Sequence, residues 1–104
     1  MHHTEQVLST TISYSDRWRI TLGGELDADA RSTVQPLAEA LAESGEDAVD
    51  FDLSGITFAD SAGWAVVCEA AATLRSAGMP ARIVEPSAAV CRLTGLLQKA
   101  RSAA

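Results

Sequence analysis

A change of hydrophobic period near the middle of the sequence is the feature that most constrains how this chain can fold. Before the change, Val49, Phe51 and Leu53 alternate with aspartates, as in a strand with one buried face. From Val67 onward, apolar residues recur at the spacing of a helix. The switch falls at Asp60-Ser61-Ala62-Gly63 and predicts a helix that begins there. Backbone N–H groups point outward at a helix start and favour negative charge by roughly 0.3–1 kcal/mol, so a serine there can carry a phosphate without unfolding the chain.

The residues before this switch predict a β-hairpin followed by a helix. Apolar and polar residues alternate over residues 8–14 and again over 18–22, with a turn at Ser15-Asp16 and with Gly23-Gly24 ending the second strand. The sequence then predicts an amphipathic helix, which Ser44-Gly45 ends. Its apolar stripe consists of Val34, Leu37, Ala38 and Leu41.

Pro36 leaves two alternatives for the start of this helix. If the helix begins at Ser32, Gln35 completes a capping box and Pro36 lies in the first turn, where its missing N–H costs little. If the helix begins near Asp29, we expect a kink around Pro36.

The residues after the switch predict two more helices with a short strand between them. The buried stripe of the first helix consists of Val67, Ala70, Ala71 and Leu74. Gly78 supplies its left-handed C-cap, and a strand follows over residues 81–84. We expect the last helix to run from Pro86 to Arg92, with Gly95 interrupting it before a short helical tail.

The predicted order β-β-α-β-α-β-α indicates an α/β fold in one domain over residues 1–104, with residues 1–6 and 99–104 frayed. Strands joined through helices lie parallel, so we expect a mixed sheet with an antiparallel hairpin at its start. The acidic alternation around Asp50 and Asp52 suggests that helices do not cover both faces of the sheet throughout.

The charge of the chain argues against nucleic acid as a partner. The net charge is −6 and the isoelectric point is near 4.7, with one lysine and scattered arginines, whereas binding to phosphates needs a clustered basic surface. We expect a protein partner that presents basic groups. The sequence shows neither a signal peptide nor an apolar run near the ~20 residues that span a bilayer, so we expect no membrane contact and a cytoplasmic location.

Few residues are suited to catalysis, and we predict that the chain is not an enzyme and needs no cofactor or metal. A nucleophilic serine needs a positioned base, but His2 and His3 are the only histidines and stand together at the terminus. Lys99 is the only lysine, and no Gly-rich phosphate loop precedes it. We expect Cys68 and Cys91 to be small buried side chains, with a regulatory disulfide between them as the alternative.

An acidic cluster at the carboxyl ends of the strands is a further alternative, because ligands often bind at that edge of such sheets. Its members are Glu25, Asp27, Asp29, Asp52 and Asp60. Such a cluster would suit a divalent metal beside a phosphorylatable aspartate, although no lysine on a later strand is present to hold the phosphate. We favour the simpler interpretation, in which Asp27 or Asp29 and Asp60 are turn and cap residues and Asp52 is a solvated strand residue.

Four short patches, in this order and spacing, resemble the STAS domains of bacterial anti-sigma factor antagonists. They are Gly24-Glu25-Leu26-Asp27, Asp52-Leu53-Ser54, Asp60-Ser61-Ala62-Gly63 and Leu93-Thr94-Gly95-Leu96. The resemblance implies a sheet of four or five strands with helices mainly on one side. It also implies that a partner kinase phosphorylates Ser61, the serine after the aspartate of the third patch. Ala62 replaces a second serine, which leaves one hydroxyl in that patch.

The resemblance further implies a partner-binding surface around this serine. Its members are Asp27, Asp60, Ser61, Ala62, Gly63 and Trp64. Asp60 contributes either negative charge at this surface or an N-cap, and Ser61 itself is the other candidate for the cap. Trp64, where the family generally has an aliphatic residue, faces either the core or a partner as an aromatic anchor.

The function implied by the resemblance is that of an anti-sigma factor antagonist. The unphosphorylated protein would bind an anti-sigma factor serine kinase and so free a sigma factor; phosphorylation of Ser61 would end the interaction, and a phosphatase would restore it. One alternative is a STAS subunit of another assembly, such as a partner of a lipid-transport ATPase or a stress-signalling scaffold. The other is a small phospho-acceptor or nucleotide-binding domain that uses the acidic cluster. Whether the protein is a monomer or a dimer stays open.

Overall fold

The elements follow the order that the sequence predicts. The computed structural model describes residues 8–45 and 48–103, so the predictions for residues 1–6 and for His2 and His3 lie outside the described residues. The strands are β1 (Ser9–Tyr14), β2 (Trp18–Leu26), β3 (Val49–Ala59) and β4 (Ala81–Val84). The helices are α1 (Arg31–Ser44), which follows a 3₁₀ turn over Ala28–Ala30, then α2 (Ser61–Ser76) and α3 (Ala88–Ala103).

The strands form one mixed sheet in the order β1-β2-β3-β4. β1 and β2 pair antiparallel as a hairpin, whereas β2, β3 and β4 run parallel because helices connect them. This confirms the predicted α/β fold with an antiparallel hairpin at its start.

One face of the sheet carries the hydrophobic core. Alternate strand residues such as Ile20 and Phe51 are fully buried on this face, and α1 and α2 cover them. The helices contribute Val34, Ala38 and Leu41 from α1 and Val66, Val67, Ala70, Ala71 and Leu74 from α2. The predicted stripes of both helices are therefore confirmed, apart from Leu37, which is partly buried at the edge of the core.

The opposite face of the sheet is held by ion pairs, and here one expectation is wrong. Asp52 is not a solvated strand residue: it is 8% exposed and Asp50 is 2% exposed. Arg82 Nε and Nη2 donate to Asp50 at 2.9 and 3.0 Å, and Arg17 Nε lies 3.1 Å from it. Arg19 lies 2.6 Å from Asp52. The neighbouring strands and the hairpin turn place arginines beside these aspartates, so the acidic alternation marks a paired face, not a solvated one.

These partners lower the pKa values of both aspartates. For Asp50, the hydrogen bonds from Arg82 outweigh the effect of burial and hold the pKa of the carboxyl below its ordinary value. For Asp52, burial raises the pKa, but hydrogen bonds from Ser54 and Arg19 together lower it further, so its pKa also lies below the ordinary value.

β2 is longer than the sequence predicts, because Gly23 and Gly24 continue the strand that we expected them to end, and β3 extends beyond the alternating residues 49–53. Gly23 pairs with Gly55, and a Cβ on Gly55 would lie 3.2 Å from the Gly23 Cα. Two facing glycines let the backbones approach closely, and the register shifts on either side mark a bulge-like irregularity. β2 therefore continues to Leu26, and β3 continues to Ala59.

The alternative in which α1 begins at Ser32 is wrong. The 3₁₀ turn leads directly into Arg31, so Pro36 lies inside the helix at an exposed position. Gln35 forms no capping box: its amide nitrogen bonds the Thr73 hydroxyl of α2 at 3.1 Å. Gln35 thus connects α1 to α2, whereas the sequence pattern predicts that it caps the start of α1.

The expectation of a broken third helix is also wrong. α3 begins at Ala88, after Ser87, whose hydroxyl accepts a hydrogen bond from the Val90 N–H, and it continues through Gly95. A glycine costs a helix interior only about 0.5–1 kcal/mol relative to alanine, which the burial of Val90 outweighs.

Both cysteines are exposed and free, contrary to the expectation that they are buried. Cys68 lies on the solvent side of α2, where partial burial raises the pKa of its thiol. Whether Cys68 and Cys91 form a regulatory disulfide stays a prediction.

A close backbone approach fixes the start of α2 against the end of β2. Gly63 is buried, and a Cβ placed on it would lie 2.6 Å from the Asp27 nitrogen and closer still to the Leu26 carbonyl. The Asp60 N–H also donates to the Leu26 carbonyl at 3.2 Å. Only a residue without a side chain fits here, so the helix start cannot shift without breaking this contact.

We expect the Asp50→Asn variant to be less stable than the native protein by about 2 kcal/mol at pH 7, because three buried charge contacts lose their anion. Since the folded pKa is lowered, this stabilisation is present above the unfolded value of about 4 and is lost as pH falls through the folded pKa. Urea unfolding at neutral and acidic pH will show the difference between the two proteins shrinking in acid. The matched control, Asp16→Asn in the exposed hairpin turn, should change stability by less than about 0.5 kcal/mol. An equal effect of both variants would contradict the assignment.

We expect Gly63→Ala to destabilise the fold by about 3 kcal/mol or more, because the added methyl meets backbone atoms that cannot move aside. Gly95→Ala is the matched control: a Cβ at that position would have no atom within 4 Å, so the change should stabilise the protein by about 0.5–1 kcal/mol. Urea unfolding measures both changes. If the two variants shift stability in the same direction, the close approach at Gly63 does not constrain the fold.

Candidate functional site

The start of α2 is capped by Asp60. Its backbone is extended, and its Oδ1 accepts a hydrogen bond from the Gly63 N–H at 2.8 Å. The Trp64 N–H donates to the Asp60 carbonyl at 2.9 Å, which closes the first helical turn. Asp60 therefore satisfies the N–H at the third helical position, as an N-cap aspartate typically does.

Ser61 is the first residue of α2, and its hydroxyl has no role in the cap. The side chain is exposed and makes no hydrogen bond to any part of the chain that the structure describes. The alternative in which Ser61 caps the helix is therefore wrong. The N–H groups of Ser61 and the exposed Ala62 precede the first intrahelical donor, so they lie at the positive end of the helix dipole.

Asp27 lies next to this helix start, at the end of β2. It caps the 3₁₀ turn, with its Oδ1 accepting from the Asp29 N–H at 3.0 Å. Its backbone forms part of the surface on which Gly63 packs. The structure thus brings Asp27 together with the residues at 60–63.

Trp64 faces neither the core alone nor solvent alone, the two alternatives that the sequence left open. It is partly buried and packs against the core, and it also lines a shallow groove with residues of α3. The other lining residues are Thr94, Leu97, Gln98 and Arg101. Trp64 therefore joins the start of α2 to the last helix while part of its ring stays accessible.

The acidic cluster does not assemble as a whole. Asp52 pairs with Thr21 in the register of the sheet and binds Arg19. It lies seven positions before Ala59, or about 23 Å along β3 from the strand end that adjoins Asp60. Asp60 and Asp27 are occupied as caps. Within residues 8–45 and 48–103, no group of three or more His, Cys, Asp or Glu side chains is placed to hold a metal ion.

Sequence reasoning missed a second groove, which lies between the end of β3 and α3. The end of β3 and α3 enclose about 210 Å³, lined mainly by apolar atoms. Phe58 and Leu96 contribute exposed apolar surface to it. The available signal was Phe58, a large apolar residue that precedes the helix start but belongs to neither predicted apolar stripe.

No helix in the part of the chain that the structure describes is long and apolar enough to cross a membrane.

Several solved structures share this fold. An anti-sigma factor antagonist STAS domain from Rhodobacter sphaeroides is 21% identical with a TM-score of 0.62, covering 80% of this chain and 95% of its own. An anti-sigma factor antagonist from Mycobacterium paratuberculosis is 21% identical with a TM-score of 0.64, covering 89% and 82%. The antagonist SpoIIAA in its unphosphorylated form is 20% identical with a TM-score of 0.61, covering 78% and 74%. At these identities the likeness shows the fold.

The family assignment comes from the sequence itself. Comparison with curated protein sequences gives no significant match. A family model described as "Mlab, STAS domain" matches residues 11–99, which is most of the chain and includes every strand and helix in whole or in part. The chain belongs to the STAS domain family.

Proposed function

We propose that this protein is an anti-sigma factor antagonist controlled by phosphorylation of Ser61. In its unphosphorylated form it binds an anti-sigma factor serine kinase, and the sigma factor is released. Phosphorylation by that kinase ends the interaction, and a phosphatase restores it. ATP, magnesium and the catalytic groups belong to the kinase, and this chain is its substrate and binding partner.

The observation that carries the proposal is the division of roles between Asp60 and Ser61. Asp60 takes the structural role at the helix start, while the adjacent serine presents an exposed hydroxyl without a hydrogen-bond partner in the described part of the chain. A kinase can reach such a hydroxyl, and its modification removes no contact that the fold uses.

The electrostatics of the helix start support a switch that acts on the partner and leaves the fold intact. A phosphate adds about −1.5 to −2 charges beside the free N–H groups of Ser61 and Ala62, where negative charge is favourable. The packing of Gly63 on the backbone of Leu26 holds the helix in place. The added charge and its hydration shell therefore act at the partner interface, through repulsion and desolvation.

Three structural relatives support the class of function. Each is described as an anti-sigma factor antagonist, and one of them is described in its unphosphorylated form. The surface proposed for the partner consists of Asp27, Asp60, Ser61, Ala62, Gly63 and Trp64. Ser61 and Ala62 are its exposed members, and Asp27, Asp60 and Trp64 are half-buried, so a phosphate would add its charge to the accessible part of this surface.

A second candidate function is that of a STAS subunit in another assembly, such as a lipid-transport ATPase or a stress-signalling scaffold. The description of the matching family model favours it, because that description names Mlab and the STAS domain but no sigma factor. In such an assembly Ser61 need not be modified, and its substitution would leave binding unchanged.

We expect Ser61→Glu to abolish binding to the kinase partner, whereas Ser61→Ala retains it. Tagged native and variant proteins are incubated with lysate of the native host, and mass spectrometry identifies the retained proteins. Ser76→Glu is the matched control, because it places the same charge at an exposed site about 22 Å along the same helix. Urea unfolding should show that Ser61→Glu changes stability by no more than about 0.5 kcal/mol.

The two candidate functions predict different sets of retained proteins in this experiment. A serine kinase retained by the native protein, Ser61→Ala and Ser76→Glu but not by Ser61→Glu supports the switch. A transporter or scaffold component retained equally by all four proteins contradicts it and supports the assembly subunit.

A further inference from the structure

The groove between the end of β3 and α3, which we call the α3 groove, is an apolar surface that the described part of the fold leaves uncovered. It is lined by the end of β3 at Thr57, Phe58 and Ala59 and by Arg92, Leu93 and Leu96 of α3. Phe58 is 48% exposed and Leu96 is 60% exposed, although both are large apolar side chains. Two such residues side by side are typical of an interaction surface.

The basic residues near this groove differ from most of those elsewhere in the chain, because they form no ion pair with the described residues. Five of the eight basic residues are used within the fold: Arg17, Arg19, Arg31 and Arg82 form ion pairs, and Arg75 binds the Ala81 carbonyl. The other three, Arg92, Lys99 and Arg101, form no ion pair within the described residues, and all three lie on α3. That helix contains no acidic residue.

Helical geometry places two of these cations beside the apolar anchor. At about 100° per residue, Arg92, Leu96 and Lys99 fall within about 60° of one another around α3. Arg101 falls about 180° from Arg92 by the same rule and lines the other groove, beside Trp64. One stripe of the helix therefore combines an exposed leucine with two cations that form no ion pair with any described residue.

We propose that the α3 groove binds a segment of a protein partner that presents one or two apolar side chains flanked by carboxylates. The groove, at about 210 Å³, is smaller than the roughly 300–1,000 Å³ of small-molecule pockets but admits a leucine or phenylalanine side chain. The carboxylates of the segment complement Arg92 and Lys99. The acidity of the whole chain does not oppose this contact, because charges beyond about 8–10 Å are screened in physiological salt.

This proposal does not depend on phosphorylation of Ser61. The lining of the groove includes Ala59, two residues before that serine, so one partner can contact both surfaces. The segment is recognised by the cations of α3, whereas the surface around Ser61 responds to added negative charge.

Selection of short random peptides displayed on phage, with the unmodified native protein immobilised, tests the proposal without a kinase. We expect the enriched peptides to share one or two Leu, Ile, Phe or Met residues flanked by Asp or Glu. Fluorescence polarisation with a labelled synthetic copy of the best peptide then gives its affinity. Leu96→Gln, Arg92→Glu and Lys99→Glu should each weaken binding by at least about fivefold.

Arg101→Glu is the matched control, because it makes the same charge reversal on the same helix but on the opposite side. It should change the affinity by less than about twofold. All four positions are exposed, so urea unfolding should show that the variants remain folded. Chemical shifts of the ¹⁵N-labelled protein should change mainly at residues 57–59 and 89–96 when the peptide is added.

Several results would overturn the proposal. Failure to enrich an apolar and acidic pattern would do so, as would equal binding of the peptide to the native protein and to Leu96→Gln. Binding of phosphatidylglycerol vesicles that requires Arg92 and Lys99, without peptide binding, would assign the stripe to a lipid surface instead. Self-association of the native protein that Leu96→Gln abolishes, without peptide binding, would assign it to a second copy of the chain.

Discussion

The contact between Gly63 and the backbone of Leu26 and Asp27 is the constraint on which the candidate site depends. It joins the start of α2 to the end of β2 without an intervening side chain. Because both partners are backbone, neither can adjust by changing a rotamer. The helix axis, the cap formed by Asp60 and the outward direction of the next residue are fixed together. Ser61 is exposed for the same reason that Gly63 is buried: the close approach turns one side of the first helical turn onto the sheet and leaves the other side to solvent.

The two faces of the sheet are stabilised by different interactions. The face under α1 and α2 is apolar, so burial of surfaces such as Phe51 holds it in place at any pH. On the other face, the neighbouring strands and the hairpin turn supply arginines to Asp50 and Asp52, and these pairs weaken when the carboxylates are protonated. These pairs also engage Arg17, Arg19 and Arg82, which leaves fewer basic groups without an ion pair in the described part of the chain.

The sequence predicts those parts of the fold in which one local signal dominates. The change of hydrophobic period locates β3 and α2, and the left-handed Gly78 correctly ends that helix. Three of the errors occur where a distant partner decides the outcome. Gly23 extends a strand because Gly55 faces it, Gln35 leaves the predicted capping box for Thr73, and Asp52 is buried because Arg19 pairs with it. None of these partners lies near its counterpart in sequence.

In the candidate site, too, the sequence predicts the local features but not those that depend on contacts with other elements. That a helix begins near Ser61 follows from the sequence, and the cap could be narrowed to Asp60 or Ser61. The choice between them required the structure, because both residue types cap helices well. The position of Trp64 was equally undecided, since its contacts with α3 depend on a helix that continues past Gly95.

The distribution of charge leads to a specific expectation for a partner that covers both proposed surfaces. Around Ser61 the neighbouring side chains Asp27 and Asp60 are acidic, whereas the exposed stripe of α3 is basic. A complementary partner surface therefore carries basic groups on one side and carboxylates on the other. A phosphate on Ser61 would add negative charge only to the surface around Ser61, close to the partner groups that contact that surface. The contact at the α3 groove would keep its own complementarity, so the two surfaces would contribute to binding through opposite charges and respond differently to modification.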